Sequence, residues 1–345
     1  MTGGYRAELD GIRGIAILLV LAGHYRLAPP FAGIAGVTVF FVLSGYLITS
    51  LVLAEQRRTG KVDLRAFYAR RLRRLVPALL AAIAVTGVVV ALAGQFQYYP
   101  YQAAIAATYL ANFAPGGGAS LGPLGHTWTL AIEEQFYIVW PGLFLLLRTD
   151  RSRLVVLGLG IAWAAVGRLV LGDQLGRTDF RMDGLLLGCA IAIRPIALPR
   201  WAGLVGGAII AATVVATNDL VVGMPLVAAG TALLVLSRVP LTWAPLVRIG
   251  AISYGIYLYH AIFLWLGWWR SPPLIVAGLI LTIGLALASE RWLERRFRAP
   301  RSYGTKSASV ERESAGTVGP ADAVGPVEAG AAIGAVAAVG AVPAA

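Results

Sequence analysis

The chain has 345 residues, of which 58% are hydrophobic and 13% charged, and its formal net charge is +12. A soluble domain of this length cannot bury so much apolar surface, so the composition predicts a protein that is partly solvated by lipid. The basic residues stand between long apolar runs without any RNA- or DNA-binding signature, which favours cytoplasmic anchoring over nucleic acid as their partner.

Apolar runs of about twenty residues predict an all-α, polytopic transmembrane helix bundle of about ten spans. The predicted spans are 12–28, 35–54, 76–94, 127–147, 154–171, 180–197, 202–217, 220–237, 249–268 and 273–290. With the strongly basic loop after the second span in the cytoplasm, every other basic loop falls on the same side. The pattern predicts a multi-pass protein of a bacterial-type cytoplasmic (inner) membrane, with both termini in the cytoplasm.

Three other stretches complete the organisation of the chain. The segment 98–114 is apolar but short, and counting it as a span would invert every later loop, so a re-entrant or interfacial helix on the outer side is predicted. After a transmembrane domain of residues 1–298, the sequence 299–345 predicts a disordered low-complexity tail. The single cysteine, Cys189, excludes an intramolecular disulfide and a thiolate-rich metal site.

Ionisable groups inside spans are costly and are therefore functional candidates by default. Arg13 and His24 lie eleven residues apart in the first predicted span, which predicts that both project from one helix face about 16 Å apart along the axis. This pairing favours function over the alternative in which Arg13 snorkels to the interface and His24 caps the helix.

Two further blocks follow in the next spans. In FFVLSGY, Ser44 stands beside Gly45, which allows close helix approach, so a packing role is favoured for Ser44. In FYARRLRRLVP, Arg70, Arg71 and Arg74 fall within about one helical turn. Anchoring to the cytoplasmic side accounts for these arginines, and clustered guanidinium groups also suit the phosphates of a cytoplasmic cosubstrate.

The fourth predicted span begins with HTWTLAIEEQFYIVWP. His126 and Glu133 are seven residues apart, which predicts that they share one helix face. Of the adjacent Glu133 and Glu134, one is predicted to face a polar cavity while the other pairs with an arginine. The alternative is a carboxylate that only holds helices together.

Polar residues also enter two later spans. A local ion-pair network is favoured over acceptor binding for the four charged residues that open the sixth predicted span: Arg177, Asp179, Arg181 and Asp183. In the ninth span, polar residues recur at helical spacing: Ser253, Tyr257 and His260. A satisfied core histidine and a functional one are equally open for His260.

Six blocks occur in the order LDGIRGIAILLVLAGH, FFVLSGYLI, FYARRLRRLVP, HTWTLAIEEQFYIVWP, TDFRMDGLLLGCAIA and ISYGIYLYHA. Together they resemble the membrane acyltransferase 3 family, bacterial integral-membrane O-acyltransferases of glycans and small molecules. The hallmark of this family is an arginine, ten residues and then a histidine in the first helix, which Arg13 and His24 reproduce. The resemblance runs from about Leu9 to Phe297.

The resemblance implies an acyltransferase that moves an acyl group, often acetyl, from acyl-CoA to a hydroxyl of a carbohydrate or small-molecule acceptor. Acyl-CoA is a cosubstrate, and no cofactor is implied. His24 resembles the essential histidine and Arg13 its partner, while Glu133 lies in the block with the acidic pair. The basic block near the donor corresponds to Arg70, Arg71 and Arg74. Because the chain lacks the soluble esterase-like domain that some members append, a complete two-step polysaccharide system is not expected.

Acyl transfer from sulfur to oxygen needs a base for the hydroxyl and stabilisation of the developing oxyanion. We predict His24 as the general base, Glu133 or another buried carboxylate as the group that orients it, and Arg13 as a group that holds the donor or the base. A covalent acyl-histidine is the alternative, and an acceptor on either side of the membrane is compatible with the sequence.

Acceptor-binding or supporting roles are predicted for His126, Glu134, Arg181, Asp183, Ser253, Tyr257 and His260, and no metal site is predicted. The rival hypothesis is a transporter or flippase of a polar or acylated substrate that performs no chemistry. Inverted repeats and paired broken helices would favour it, and the sequence displays no such symmetry.

Overall fold

The computed structural model describes residues 6–172, 176–294 and 296. Its first six helices are α1 (Ala7–His24), α2 (Phe31–Thr59), α3 (Leu64–Leu92), α4 (Tyr99–Ala107), α5 (Trp128–Leu146) and α6 (Asp150–Leu171). The other seven are α7 (Thr178–Arg181), α8 (Asp183–Ile193), α9 (Arg200–Ala216), α10 (Leu220–Ser237), α11 (Ala244–Ala251), α12 (Ser253–Trp265) and α13 (Pro272–Ser289). A π-helical turn, Glu290–Glu294, continues α13. The described residues contain no strand, so the predicted all-α class is confirmed.

The connection between α2 and α3 shows how local sequence fixes the helix ends. α2 stops before Gly60, whose φ of 73° is left-handed and therefore suits glycine. α3 begins after Asp63, whose carboxylate accepts a hydrogen bond from the backbone N–H of Ala66. The predicted basic loop is consequently short, and its arginines from Arg65 onward lie on α3 itself.

α2 lies at the centre of the bundle and packs against α1, α5, α8 and α10. Glycines permit the close approach of α2 and α8. A Cβ atom at Gly45 would collide with the backbone carbonyl of Leu185, and one at Gly188 would collide with that of Val42. Close van der Waals packing of small residues stabilises helix pairs in lipid, where the hydrophobic effect between helices is lost. The predicted packing role of Gly45 is confirmed by these contacts.

The outer faces of several helices are apolar. Along α6, large apolar side chains are exposed at Leu159, Trp163, Val166 and Leu169, and soluble proteins rarely expose such a continuous stripe. Five helices are long and apolar enough to cross a membrane, namely α2, α3, α6, α10 and α13 with its π-helical turn. The bent pair α11 and α12 adds a sixth candidate. These features fit the predicted multi-pass helical membrane bundle.

The predicted count of ten spans is not confirmed. Two predicted spans are interrupted, because 180–197 breaks at Met182 between α7 and α8, and 249–268 breaks at Ile252. α11 and α12 are bent by 73° at that second break. With 11 residues, α8 is only about 16 Å long, against a hydrocarbon core of about 30 Å.

The segment 98–114 contains the nine-residue helix α4 and 3-10 turns on both sides of it. At a rise of 1.5 Å per residue, α4 is about 13 Å long and too short to cross a membrane alone. The orientation of the bundle stays a prediction. The predicted tail, residues 299–345, lies outside the described residues.

Candidate active site

Two cavities lie between the helices that carry the polar residues of the apolar runs. The glutamate cavity has a volume of about 90 Å³ and is lined by polar side chains that include Arg13, Ser44, Glu133, Ser253 and Tyr257. The histidine cavity has a volume of about 430 Å³ and is lined by residues that include His24, His126, His260, Trp128 and Trp265. Every histidine of the chain therefore borders one cavity.

Hydrogen bonds between helices fix the polar groups of the glutamate cavity. Ser44 on α2 donates its hydroxyl to Oε1 of Glu133 on α5, with an O–O distance of 2.5 Å. Arg13 on α1 donates from Nε and Nη2 to the hydroxyl of Ser253 on α12, at 3.3 and 3.2 Å. Ser44 thus contributes a polar contact to the cavity, which the sequence-based packing role did not include.

Glu134, the neighbour of Glu133, points away from this cavity and pairs with an arginine, as predicted for one of the two glutamates. Nη2 of Arg71 lies 2.8 Å from Oε1 of Glu134, and the Arg71 guanidinium carbon lies 3.3 Å from the ring centroid of Tyr137. Removing one partner of such a partly buried pair leaves an uncompensated charge. Arg71 is therefore committed to a structural contact.

The other two arginines of the predicted donor-binding block, Arg70 and Arg74, are exposed on α3. Arg70 forms an exposed ion pair with Glu55 at 3.2 Å, a type of contact that contributes little stability. The block is thus divided: Arg71 packs into the bundle and the other two face outward.

A chain of hydrogen bonds orients His24 in the histidine cavity. Nδ1 of His260 lies 2.7 Å from the backbone carbonyl oxygen of Tyr257, which can only accept, so this nitrogen carries a proton. In the neutral ring, Nε2 of His260 is then an acceptor, and it lies 2.9 Å from Nδ1 of His24. His24 therefore donates from Nδ1 and keeps the lone pair of Nε2 free.

The two rings differ in exposure. His260 is fully buried, with 0% of its surface exposed, whereas His24 is exposed at the end of α1. The ring planes are inclined by only 9° and the centroids lie 5.1 Å apart, so the two rings lie edge to edge in nearly one plane, as the hydrogen bond between them requires. A buried imidazole thus holds an exposed one in a defined tautomer. The expectation that Glu133 orients His24 is wrong, because Glu133 bonds to Ser44 in the other cavity.

His126 lies in a 3-10 segment, Ala119–Thr127, before the start of α5. This 3-10 segment turns by about 120° per residue, against about 100° in α5, so the helical phase of α5 does not extend to His126. His126 lines the histidine cavity, whereas Glu133 lines the glutamate cavity. The prediction that His126 and Glu133 share a helix face is consequently wrong. The ring packs edge-on against His260, with centroids 5.3 Å apart, and neither ring nitrogen forms a hydrogen bond with a described residue.

Tyr257 separates the two cavities. Its hydroxyl lies 2.6 Å from the hydroxyl of Thr129 and donates to the backbone carbonyl of His126 at 2.9 Å. Tyr257 lines the glutamate cavity, while its ring contacts His126 and His260 of the histidine cavity. A layer one side chain thick therefore stands between the cavities.

The predicted ion-pair network at the start of the sixth span is present in part. Nη2 of Arg177 lies 2.7 Å from Oδ2 of Asp179, and Asp183 pairs with Arg168 on α6 at the same distance. Sequence reasoning did not single out Arg168, although an arginine inside an apolar run is a sufficient signal. Arg181 is buried, and its Nη1 lies 2.6 Å from the sulfur of Met224.

Arg13 and His24 lie on the same helix but in different cavities, so Arg13 does not contact the predicted base. Ser253, Tyr257 and His260 follow the length of α12 and reach the glutamate cavity, the separating layer and the histidine cavity in turn. Within the described ranges, no group of three His, Cys, Asp or Glu side chains is arranged to hold a metal ion.

Comparisons with known proteins relate the sequence of the chain to a family and to several relatives. Residues 6–291 match a family profile, that of acyltransferase 3, described as an acyltransferase domain. The chain is 33% identical to YrhL of Bacillus subtilis in an alignment 309 residues long, and the match covers 74% of the chain and 48% of that protein. It is 32% identical to peptidoglycan O-acetyltransferase OatA of Listeria monocytogenes in an alignment 313 residues long, and the match covers 74% of the chain and 49% of that protein.

A third relative is O-acetyltransferase OatA of Staphylococcus aureus, 35% identical over 217 residues that cover 57% of the chain and 36% of the relative. The chain spans about half the length of these curated relatives, or less. No solved structure is significantly similar to the chain.

Proposed function

Since the chain belongs to the acyltransferase 3 family, we propose that it transfers an acetyl group from acyl-CoA to a hydroxyl group of a glycan acceptor. The chain is an acyltransferase, which leaves the alternative of a transporter without chemistry unsupported. The glycan acceptor is suggested by relatives that are named peptidoglycan O-acetyltransferases. The observation that carries the proposal is the His24–His260 pair, which leaves one lone pair of an oriented imidazole free at a large cavity.

In the proposed reaction, the acceptor hydroxyl binds in the histidine cavity and its proton is taken by Nε2 of His24. The hydroxyl oxygen attacks the thioester carbonyl, the C–S bond breaks, and the departing thiolate receives the proton from the His24 imidazolium. His260 stabilises that imidazolium because its Nε2 accepts a hydrogen bond from Nδ1 of His24. It is a positioning residue, in the role that a buried carboxylate has in a Ser-His-Asp triad.

The donor is proposed to enter through the glutamate cavity. The arm of acyl-CoA carries amide groups, which can donate to the Glu133 carboxylate and accept from the Arg13 guanidinium. Both groups line that cavity and are held by partners on other helices. The phosphates are assigned to Arg70 and Arg74 because both side chains are exposed on α3, whereas Arg71 packs into the bundle against Glu134.

Donor and acceptor approach each other from opposite sides of Tyr257. By the predicted topology, the arginines of α3 are cytoplasmic and the histidine cavity opens to the outer side. The acyl group would then cross the layer formed by Tyr257 and Thr129, whose hydroxyl groups lie 2.6 Å apart. Transfer to an external acceptor would follow without movement of the acceptor through the bundle.

His24 provides the test of this function. His24→Ala should lower the single-turnover rate of acetyl transfer by roughly 10²–10⁴ if base catalysis is its contribution. His24→Gln should do the same, because glutamine can hydrogen-bond but cannot accept the proton. Leu169→Ala, on the exposed apolar face of α6, is the matched control and should keep the wild-type rate.

The measurement uses labelled acetyl-CoA, an acceptor glycan fragment and equal amounts of folded protein. Wild-type rates in both His24 variants would remove this residue from the mechanism. An acid-quenched sample that carries label on His24 would replace direct transfer by a covalent acyl-histidine. Transfer from a different thioester, with acetyl-CoA inert, would reject the donor while leaving the role of His24 intact.

A further inference from the structure

Two arginines surround one tryptophan beside the histidine cavity. The guanidinium carbon of Arg26 lies 4.0 Å from the ring centroid of Trp269, and that of Arg270 lies 5.3 Å from a Trp269 ring centroid. Arg26 follows His24 by two residues, while Trp269 and Arg270 follow the cavity-lining Trp265 by four and five. The Arg26–Trp269–Arg270 cluster therefore lies close in the chain to two residues that line the cavity of His24, while its own members stand outside that lining.

No carboxylate among the described residues neutralises the positive charge of this cluster. Both arginines are exposed, and neither forms an ion pair with a carboxylate in the part of the chain that the structure describes. Other arginines near this end do have such partners, since Arg177 pairs with Asp179 and Arg168 with Asp183. An indole ring attracts a cation but carries no net charge to cancel it.

The position of Arg26 is also held by the backbone. Its φ of 59° is left-handed, which is uncommon for a residue with a Cβ atom. The turn is closed by a hydrogen bond from the Arg26 N–H to the carbonyl of Gly23 and by two bonds from the next two residues to the carbonyl of Ala22. By the predicted topology this end faces outward, where arginines are disfavoured, so two exposed ones require a reason.

We infer that the Arg26–Trp269–Arg270 cluster binds an anionic group, a carboxylate or a phosphate, of the same acceptor whose hydroxyl is directed to His24. Guanidinium groups offer paired donors that match the oxygens of such anions. The Cα atoms of His24 and Arg26 lie within about 7 Å of each other, so the anion and the hydroxyl belong to the same sugar unit or to neighbouring units. The inference rests on the proposed function and narrows its acceptor to an anionic glycan.

An anionic lipid headgroup has the same chemistry, and tryptophan and arginine are common at membrane interfaces. The acceptor is favoured because Arg26 follows the proposed base, His24, by two residues. Full-length protein is therefore reconstituted both in zwitterionic lipid and in the same lipid with added phosphatidylglycerol. The probes are a peptidoglycan glycan fragment with a free carboxylate and the same fragment with that carboxylate converted to a neutral amide.

The double variant Arg26→Gln/Arg270→Gln should raise the KM for the carboxylate fragment by about tenfold, the scale of one or two exposed charge-assisted contacts. Its kcat and its KM for the amide fragment should stay at wild-type values, and the penalty should be equal in both lipids. The double variant Arg26→Lys/Arg270→Lys keeps both charges but loses the paired donors of the guanidinium groups. Its KM for the carboxylate fragment should lie between those of the wild type and of the glutamine variant. Arg177→Gln, whose partner is Asp179, is the control and should change neither KM.

Equal KM values for the two fragments with wild-type protein would overturn the inference while leaving acetyl transfer established. A penalty that appears only with phosphatidylglycerol would assign the cluster to lipid and also overturn it. Binding of the fragments is measured separately without donor. Charge-dependent binding without any turnover would support the cluster and reject the proposed function, so the two failures are distinguishable.

Discussion

The hydrogen bond between His260 and His24 can be tested by separating the two contacts of the His260 ring. Glutamine at position 260 can place its amide oxygen near the site of Nε2 and accept from His24. Asparagine can place its amide near the site of Nδ1, where it donates to the carbonyl of Tyr257 but does not reach His24. The two variants therefore remove one contact each from the chain described by distances of 2.9 and 2.7 Å.

The expected magnitudes differ accordingly. A neutral hydrogen bond contributes about 0.5–1.5 kcal/mol, so loss of the Tyr257 contact alone should lower the rate by no more than about tenfold. Loss of the His24 contact also frees the tautomer of the base, and the corresponding change in a Ser-His-Asp triad lowers kcat by about 10⁴. We expect His260→Gln within about tenfold of wild type and His260→Asn lower by roughly 10²–10⁴.

Single-turnover acetyl transfer, at saturating donor and with equal amounts of folded protein, is the assay. Because His260 is fully buried, folded yield and thermal stability are measured for each variant, and donor affinity should be unchanged in both. A purely structural His260 would make the two variants alike once folded protein is matched. An asparagine variant as active as the glutamine variant would refute the proposed orientation of His24.

Two other outcomes are expected. Arg71→Ala should lower the free energy of unfolding by about 3–5 kcal/mol, because it leaves the Glu134 carboxylate unpaired and mostly buried. Arg70→Ala, at an exposed position, should weaken donor binding and leave thermal stability nearly unchanged. Equal losses of stability for Arg71→Ala and Arg70→Ala in a denaturation assay would show that the two arginines do not differ in role. Reporter fusions should read inside, outside, inside and inside when placed in turn after Arg74, Gly117, Arg151 and Arg298, and an outside signal at the last position would reject an even number of crossings.

Hydropathy and basic loops predicted the helical membrane bundle, because a membrane span requires a long apolar helix. Such a run of residues is recognised from the local sequence without knowledge of the tertiary contacts. They did not reveal the breaks at Met182 and Ile252. Neither break has a proline beside it, so the sequence carries no local signal for the 73° bend between α11 and α12. Continuous hydrophobicity is therefore not evidence of a continuous helix.

The sequence predicted which residues belong to the candidate site better than it predicted the contacts between them. The different positions of Glu133, which lines a cavity, and Glu134, which pairs with an arginine, followed from their different directions on one helix. The partner of His24 did not follow, since His260 is 236 residues away and no local pattern links the two. Extending the phase of α5 back to His126 failed because α5 begins at Trp128 and His126 lies in the preceding 3-10 segment, which has a different turn per residue.

α12 carries residues of both cavities, Ser253 in the glutamate cavity and His260 in the histidine cavity. It begins at the bend after Ile252, holds Arg13 through Ser253, and carries His260 about 10 Å further along its axis. A tilt of about 6° about the bend would displace His260 by about 1 Å, a distance that is sufficient to impair catalysis about a hundredfold. α12 therefore couples the two cavities: a ligand that displaces Arg13 tilts α12 at Ser253 and shifts His260 relative to His24.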